Sequence, residues 1–167
     1  PITGWNTSTV NNMSYMFYDT QFNQDISAWD VSSVTEMDSA FAFANNFDQN
    51  LGGWDVSNVT SMEGLLTGVT LSTSNYDDLL IGWANLTLEL GISFDGGNSQ
   101  YCAGADARQS IVANYGWTIV DGGLELDITV PMITCPGNQA EPADAFCELS
   151  LPDYTGTATV SDNCDTS

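Results

Sequence analysis

The chain has no lysine, no histidine and a single arginine, Arg108, among its 167 residues. Against that one base stand 22 acids, for a formal charge of -21 at pH 7. Nucleic-acid binding needs Lys and Arg to displace counterions from phosphates, so that function is excluded. Docking on anionic membranes fails for the same reason. Without His there is no imidazole base for a catalytic triad and no His-ligated metal centre. No apolar run approaches the ~20 residues that a membrane-spanning helix needs, and no leader is visible at Pro1. Four cysteines are present, Cys102, Cys135, Cys147 and Cys164, but none forms a CxxC pair. Zinc ribbons and thioredoxin-like redox motifs are therefore not expected. In an extracellular protein such cysteines form disulfides.

What remains is apolar and acidic. Hydrophobic residues make up 43% of the chain, enough for a core, while charged residues make up only 14%. The charge attracts divalent cations and cationic partners. Its self-repulsion is screened by salt.

The first seventy residues repeat. Trp5, Trp29 and Trp54 are separated by 24 and 25 residues, and Val10, Val34 and Val59 and Met13, Met37 and Met62 keep the same steps. Ile2, Ile26 and Leu51 complete the frame. The two fuller copies read FNQDISAWDVSSVTEM from Phe22 and FDQNLGGWDVSNVTSM from Phe47. Within a copy, Ile26, Trp29, Val31 and Val34 follow the L-x-x-L-x-L form of leucine-rich repeats, which predicts a short strand around Trp29–Val31. Val34, Met37 and Phe41, at steps of three and four, predict a short helical segment. One unit cannot bury its apolar side alone, so successive units must stack. The chain opens inside a repeat, and a preceding segment is expected.

The motif F-[ND]-Q-[DN]-[IL]-x-x-W-D-V-S-[SN]-V-T-x-M resembles the repeats of BspA-like bacterial surface proteins, a family of unknown function in Mycoplasma and Bacteroidetes lipoproteins. The first unit lacks the Asp-Val pair. The resemblance implies a leucine-rich-repeat-like solenoid displayed at the cell surface, often in adhesion.

Beyond Met62 the repeat decays into an α/β cap. Asn75 is a candidate N-cap for a helix with acids in its first turn and Tyr76, Leu79, Leu80 and Trp83 on one face. Ile92–Phe94 reads as a strand, Ala105–Tyr115 as a helix, and Trp117–Val120 as a final strand. The strings NYDDLLIGW, FDGGNSQYCAGADARQS and YGWTIVDGG resemble the terminal segment after such repeats in marine Bacteroidetes proteins. From Asp127 the pattern ITCP…C…P…SDNC resembles the start of a hyalin repeat, an immunoglobulin-like β-sandwich. In that family the inner cysteines tend to pair, which implies Cys147–Cys164, with Cys135 bound to a later cysteine. If the tail instead docks on the cap, Cys102–Cys135 is the substitute pair. The expected fold is thus an α/β leucine-rich-repeat-like solenoid over residues 1–71 with an α/β C-terminal cap over 72–124. A partial all-β immunoglobulin-like segment follows over 127–167.

The recurring Asn and Asp residues carry two readings. They can satisfy backbone groups in the turns of stacked units. Alternatively Asp25, Asp30, Asp48 and Asp55 line one face as calcium ligands, since calcium takes six to eight oxygens. The repeated tryptophans are core residues or an exposed platform for sugars. Arg108 reads as a structural ion pair, and Ser39, in Asp38-Ser39-Ala40, as an O-glycosylation site.

These features point to a non-enzymatic extracellular or cell-surface module that binds a protein or glycan ligand without membrane insertion. A stalk or filament subunit that self-assembles is the alternative, and a carboxylate-dependent hydrolase the remote one. Millimolar calcium should raise the melting temperature, by charge neutralisation or site binding. An unchanged melting curve would refute that.

Overall fold

The computed structural model describes residue 2, residues 4–125, and the strands at 132–134 and 159–161. The chain divides into two compact units, Pro1–Glu125 and Leu126–Ser167. In the second, β3 (Met132–Thr134) pairs antiparallel with β4 (Thr159–Ser161), Ile133 opposite Val160.

In the first unit the repeat frame becomes the core. Ile26, Trp29, Val31, Val34, Met37 and Phe41 are all buried, as are Leu51, Trp54, Val56, Val59 and Met62. Each copy opens with two tight turns. Trp29 N donates to Ile26 O and Val34 N to Val31 O; Trp54 N donates to Leu51 O and Val59 N to Val56 O. The Trp29 amide and the Val31 carbonyl are thus spent in local turns, and the expected strand does not form there.

The contact between copies lies further on, in isolated parallel bridges: Asn12 with Glu36, and Glu36 with Ser61. From Met13 onward every second amide is handed to the next copy. Met13, Tyr15, Phe17 and Asp19 donate to the carbonyls of Glu36, Asp38, Ala40 and Ala42 at 2.8–2.9 Å. Met37, Ser39, Phe41 and Phe43 donate in turn to Ser61, Glu63, Leu65 and Thr67. Intervening amides close four-residue turns, such as Ala40 N to Met37 O and Ala42 N to Ser39 O. This replaces the expected helical segment. Its backbone swings into the left-handed region at Tyr15, Asp19, Ser39 and Phe43 (φ 61°, 51°, 52° and 61°) and at Gly64 and Gly68. A helix cannot pass through such residues.

Side chains repeat the stacking. Phe17 lies 5.5 Å from Phe41, and Phe22 6.1 Å from Phe47, both near-parallel. The indole N–H of Trp29 donates to Ile2 O, that of Trp54 to Ile26 O, and that of Trp83 to Leu51 O. Thr7 occupies the place of Val31 and Val56, and its buried hydroxyl has no hydrogen-bond partner among the described residues.

The stack ends on α1 (Thr73–Ala84), β1 (Ser93–Asp95), α2 (Ala105–Tyr115) and β2 (Thr118–Val120). β1 extends the parallel series: Phe94 bridges to Met62 and pairs with Ile119 of β2. α1 buries Tyr76, Leu79, Leu80 and Trp83, the face the sequence gives it. It begins three residues before the position predicted from Asn75, with Ser72 as N-cap and no acid in its first turn. The cause is tertiary: the Asp48 carboxylate, one copy back, accepts from Ser72 N at 2.8 Å and Asn75 Nδ2 at 2.7 Å. Asp77, buried on α1, serves the start of α2 in the same way. It accepts from the amides of Cys102, Ala103 and Gly104. α2 stops at Gly116 in the left-handed conformation, φ 67°, a usual glycine terminus.

The closing helix sits against the stack through bare backbone. A Cβ at Gly82 would overlap the carbonyl of Gly52, and one at Gly52 would overlap the carbonyl of Asp78. Alanine within a helix is ordinarily favoured over glycine by about 1 kcal/mol. Here Gly82→Ala should instead destabilise the protein by about 2–3 kcal/mol through overpacking. Urea unfolding measures this; a variant as stable as the parent would contradict the contact.

Candidate functional site

The four candidate calcium ligands do not converge. Asp25 accepts from Ser27 N at 2.9 Å, Asp30 from Ser32 N and Oγ, and Asp55 from Ser57 N and Oγ. Each closes its own turn. Among the described residues no group of three or more His, Cys, Asp or Glu is arranged to hold a metal. The backbone amide and hydroxyl of Ser27 hold Asp25 below its ordinary value, and Ser32 does the same for Asp30. Calcium reaching this surface meets separate carboxylates, which fits general neutralisation better than a caged ion.

Other polar groups link successive copies. Asn23 Oδ1 accepts from Asp48 N and Gln49 Nε2, and Asn46 Nδ2 donates to Gln21 Oε1. Asp48 then accepts from Ser72 and Asn75, so one series of amides runs from the repeats into α1. Burial raises the Asp48 carboxyl, but its bonds from Asn75 and Ser72 outweigh this and leave it below its ordinary value.

The one base is already committed. Arg108 Nε lies 2.7 Å from Asp121 Oδ2, and its Nη2 donates to Ile119 O. Tyr76 Oη and Gly123 N also donate to Asp121. Burial first, and then the Asp121 charge, push the Tyr76 phenol far above its usual range. Burial lowers Arg108, but Asp121 more than offsets this and the net shift is upward. The guanidinium carbon sits 5.3 Å from the Tyr101 ring centre. Beside it a shallow cleft of about 310 Å³ is lined by Tyr101, Ala105, Arg108, Gln109, Val112 and Leu124.

Trp29 and Trp54 are core residues, at 4% and 1% exposure, so they form no sugar platform. Trp5, the first of the series, is 55% exposed, and further exposed rings lie outside the tryptophan frame. Tyr15, Tyr18 and Phe43 are 63%, 44% and 42% exposed. Tyr15 and Tyr18 lie 5.7 Å apart at 58°, and Tyr18 and Phe43 5.6 Å apart at 85°. Phe43 rests on Gly68 of the following copy, where a Cβ would be 3.0 Å from its ring. Sequence reasoning passed over this row because it sought what the copies share. The available signal was where they differ: Tyr15 stands in register with Ser39 and Gly64, and Phe43 with Asp19 and Gly68.

Ser39, the glycosylation candidate, is half-buried, with its Oγ close over Gly64. Cys102 is disulfide-bonded. Cys135, Cys147 and Cys164, and with them the expected pairings, lie outside the described residues.

The Asp48 bonds carry a pH prediction. A carboxyl held below its unfolded value stabilises the fold above that value and loses the effect as pH falls through the folded value. In high salt, which screens surface repulsion, Asp48→Asn should lower the urea midpoint near about pH 6, above the carboxylate range. The gap should close as acid protonates the parent. A gap independent of pH would rule out the charged cap.

Among the described residues no helix is long and apolar enough to cross a membrane. No curated protein and no solved structure matches the chain. Residues 1–83, the stacked copies and α1 as far as Trp83, match the family described as Mycoplasma protein of unknown function, DUF285.

Proposed function

We propose that this chain is a non-enzymatic module of an extracellular or cell-surface protein that binds a protein or glycan ligand. Its stacked copies form a leucine-rich-repeat-like solenoid of BspA type with an α/β cap. Residues 127–167 begin a hyalin-like domain. One observation carries the binding reading. The inward residues of the copies are nearly constant, while the matching left-handed positions differ from copy to copy and hold the exposed Tyr15, Asp19 and Phe43: Tyr15, Ser39 and Gly64; Asp19, Phe43 and Gly68. A constant frame carrying variable side chains on its surface is how repeat proteins build recognition faces. The family match over residues 1–83 supports a surface setting.

The filament reading also has support. Trp5 stacks on Trp29 at 6.0 Å yet is 55% exposed, whereas Trp29, Trp54 and Trp83 each donate an indole N–H one copy back. The same stacking of one copy on the next, made between molecules, would build a filament.

Two measurements separate the readings. Screening against glycans, surface proteins and whole cells, with calcium present, should return a saturable ligand; a blank screen would count against the binding module. Light scattering at high protein concentration should find dispersed monomers. Concentration-dependent growth would favour the filament instead.

A further inference from the structure

We propose that Tyr15, Tyr18 and Phe43 form a corner that binds an organic cation, an alkylammonium or guanidinium group. This rests on the binding reading above and gives it a ligand class.

The backbone beneath the corner is the first reason. Tyr15 and Phe43 are bulky residues in the left-handed region, a conformation costly for any residue with a Cβ. The third copy adopts the same backbone with Gly64 and Gly68. Folding alone would favour glycine at these positions. Two of them instead hold aromatic rings that point into solvent, at 63% and 42% exposure. Exposed rings on strained backbone mark a site where strain is retained for a purpose other than packing.

Geometry gives the second reason. The rings are inclined by 58° and 85° and make walls, not a flat shelf. A sugar ring stacks best on an open flat face. A compact cation instead gains from several ring faces and edges converging on it, within ~6 Å of each centroid. The corner is made by stacking: Tyr18 of one copy meets Phe43 of the next, and Phe43 is seated on Gly68 of the third.

Charge is the third. The chain carries 22 acids and one base, and that base is bonded to Asp121. No basic side chain of the chain is left to fill the corner. Asp19, next to Tyr18, is exposed. The summed negative field concentrates cations at the surface, and the rings select those with an organic head.

The test is an NMR titration of the intact chain with assigned aromatic signals. Tetramethylammonium and guanidinium are the small probes, tert-butanol and urea their neutral counterparts, and a methyl glycoside the sugar probe. An arginine-containing peptide is the fourth arm. We expect the cations to shift the Tyr15, Tyr18 and Phe43 ring signals saturably, and the neutral probes not to. Phe43→Gly and Tyr15→Gly install the residue type the third copy already carries there, and a dispersed amide spectrum checks that each folds. Tyr18→Leu, at a position of ordinary backbone, is the second kind of variant. Each should weaken cation binding at least about threefold, the scale of one exposed cation–π contact. Tighter binding of the peptide than of free guanidinium would assign the natural source to a partner's side chain; equal binding would assign it to a small cation. Shifts spread over the acidic surface and unchanged in Phe43→Gly would overturn the proposal. So would equal response to the neutral probes, or displacement of the cation by the glycoside. A ligand from the wider screen whose binding survives Phe43→Gly, with no cation response, would sink the corner alone. A blank screen beside a positive titration would sink the wider reading alone.

Discussion

Everything in the first unit depends on a division of labour among backbone amides. Between Met13 and Asp19, and again between Met37 and Phe43, alternate amides bond within a turn and across to the next copy. A helix would spend all of them internally, and a strand would send its donors sideways on both edges. The alternation requires the chain to reverse hand every four residues, which is why positive φ recurs at Tyr15, Asp19, Ser39, Phe43, Gly64 and Gly68. The side chains follow from that path. Met37 and Phe41 turn inward into the core that also holds Met62 and Leu65, while the residues at the reversals turn outward or lie over the neighbouring copy.

Such a stack has no natural end, and α1 supplies one. The helix places Trp83 where a fourth tryptophan of the series would lie, with its indole bonded to Leu51 O. Gly52 and Gly82 let its axis approach the last turn, and Asp48 sets where it starts. Asp77 passes the same service on to α2. Each of the two helices is therefore begun by a carboxylate from earlier in the chain. Acids that look like an excess of surface charge in the composition are in part the caps of this assembly.

The repeat frame, its core residues, α2 and the inward face of α1 were legible because they rest on apolar spacing and on Gly termini. The local conformation was not. Apolar residues at steps of three and four, Val34, Met37 and Phe41, arise from a helix and equally from turns that alternate in hand, and only the amide partners tell them apart. The start of α1 was misplaced because its cap, Asp48, lies 24 residues before Ser72 and no local rule finds it. Asp25, Asp30 and Asp55 were legible as repeated carboxylates, but their closing of separate turns depends on backbone direction. The aromatic row was hidden by the repeat itself, since aligning copies discards the positions at which they disagree.

Those disagreements are the informative part of the surface. A residue type that the backbone favours can be identified inside this one chain, because the third copy follows the same path with Gly64 and Gly68. Where an earlier copy places a ring instead, the difference in free energy has to be balanced by something outside the turn. Phe43 recovers part of it by resting on Gly68 and meeting Tyr18 edge-on. Tyr15 recovers little, since it remains 63% exposed. A strained, exposed tyrosine with one ring neighbour is hard to explain by stability alone. Because the surrounding field is negative and the sole arginine is neutralised by Asp121, the partner best suited to that ring is one that brings its own positive charge.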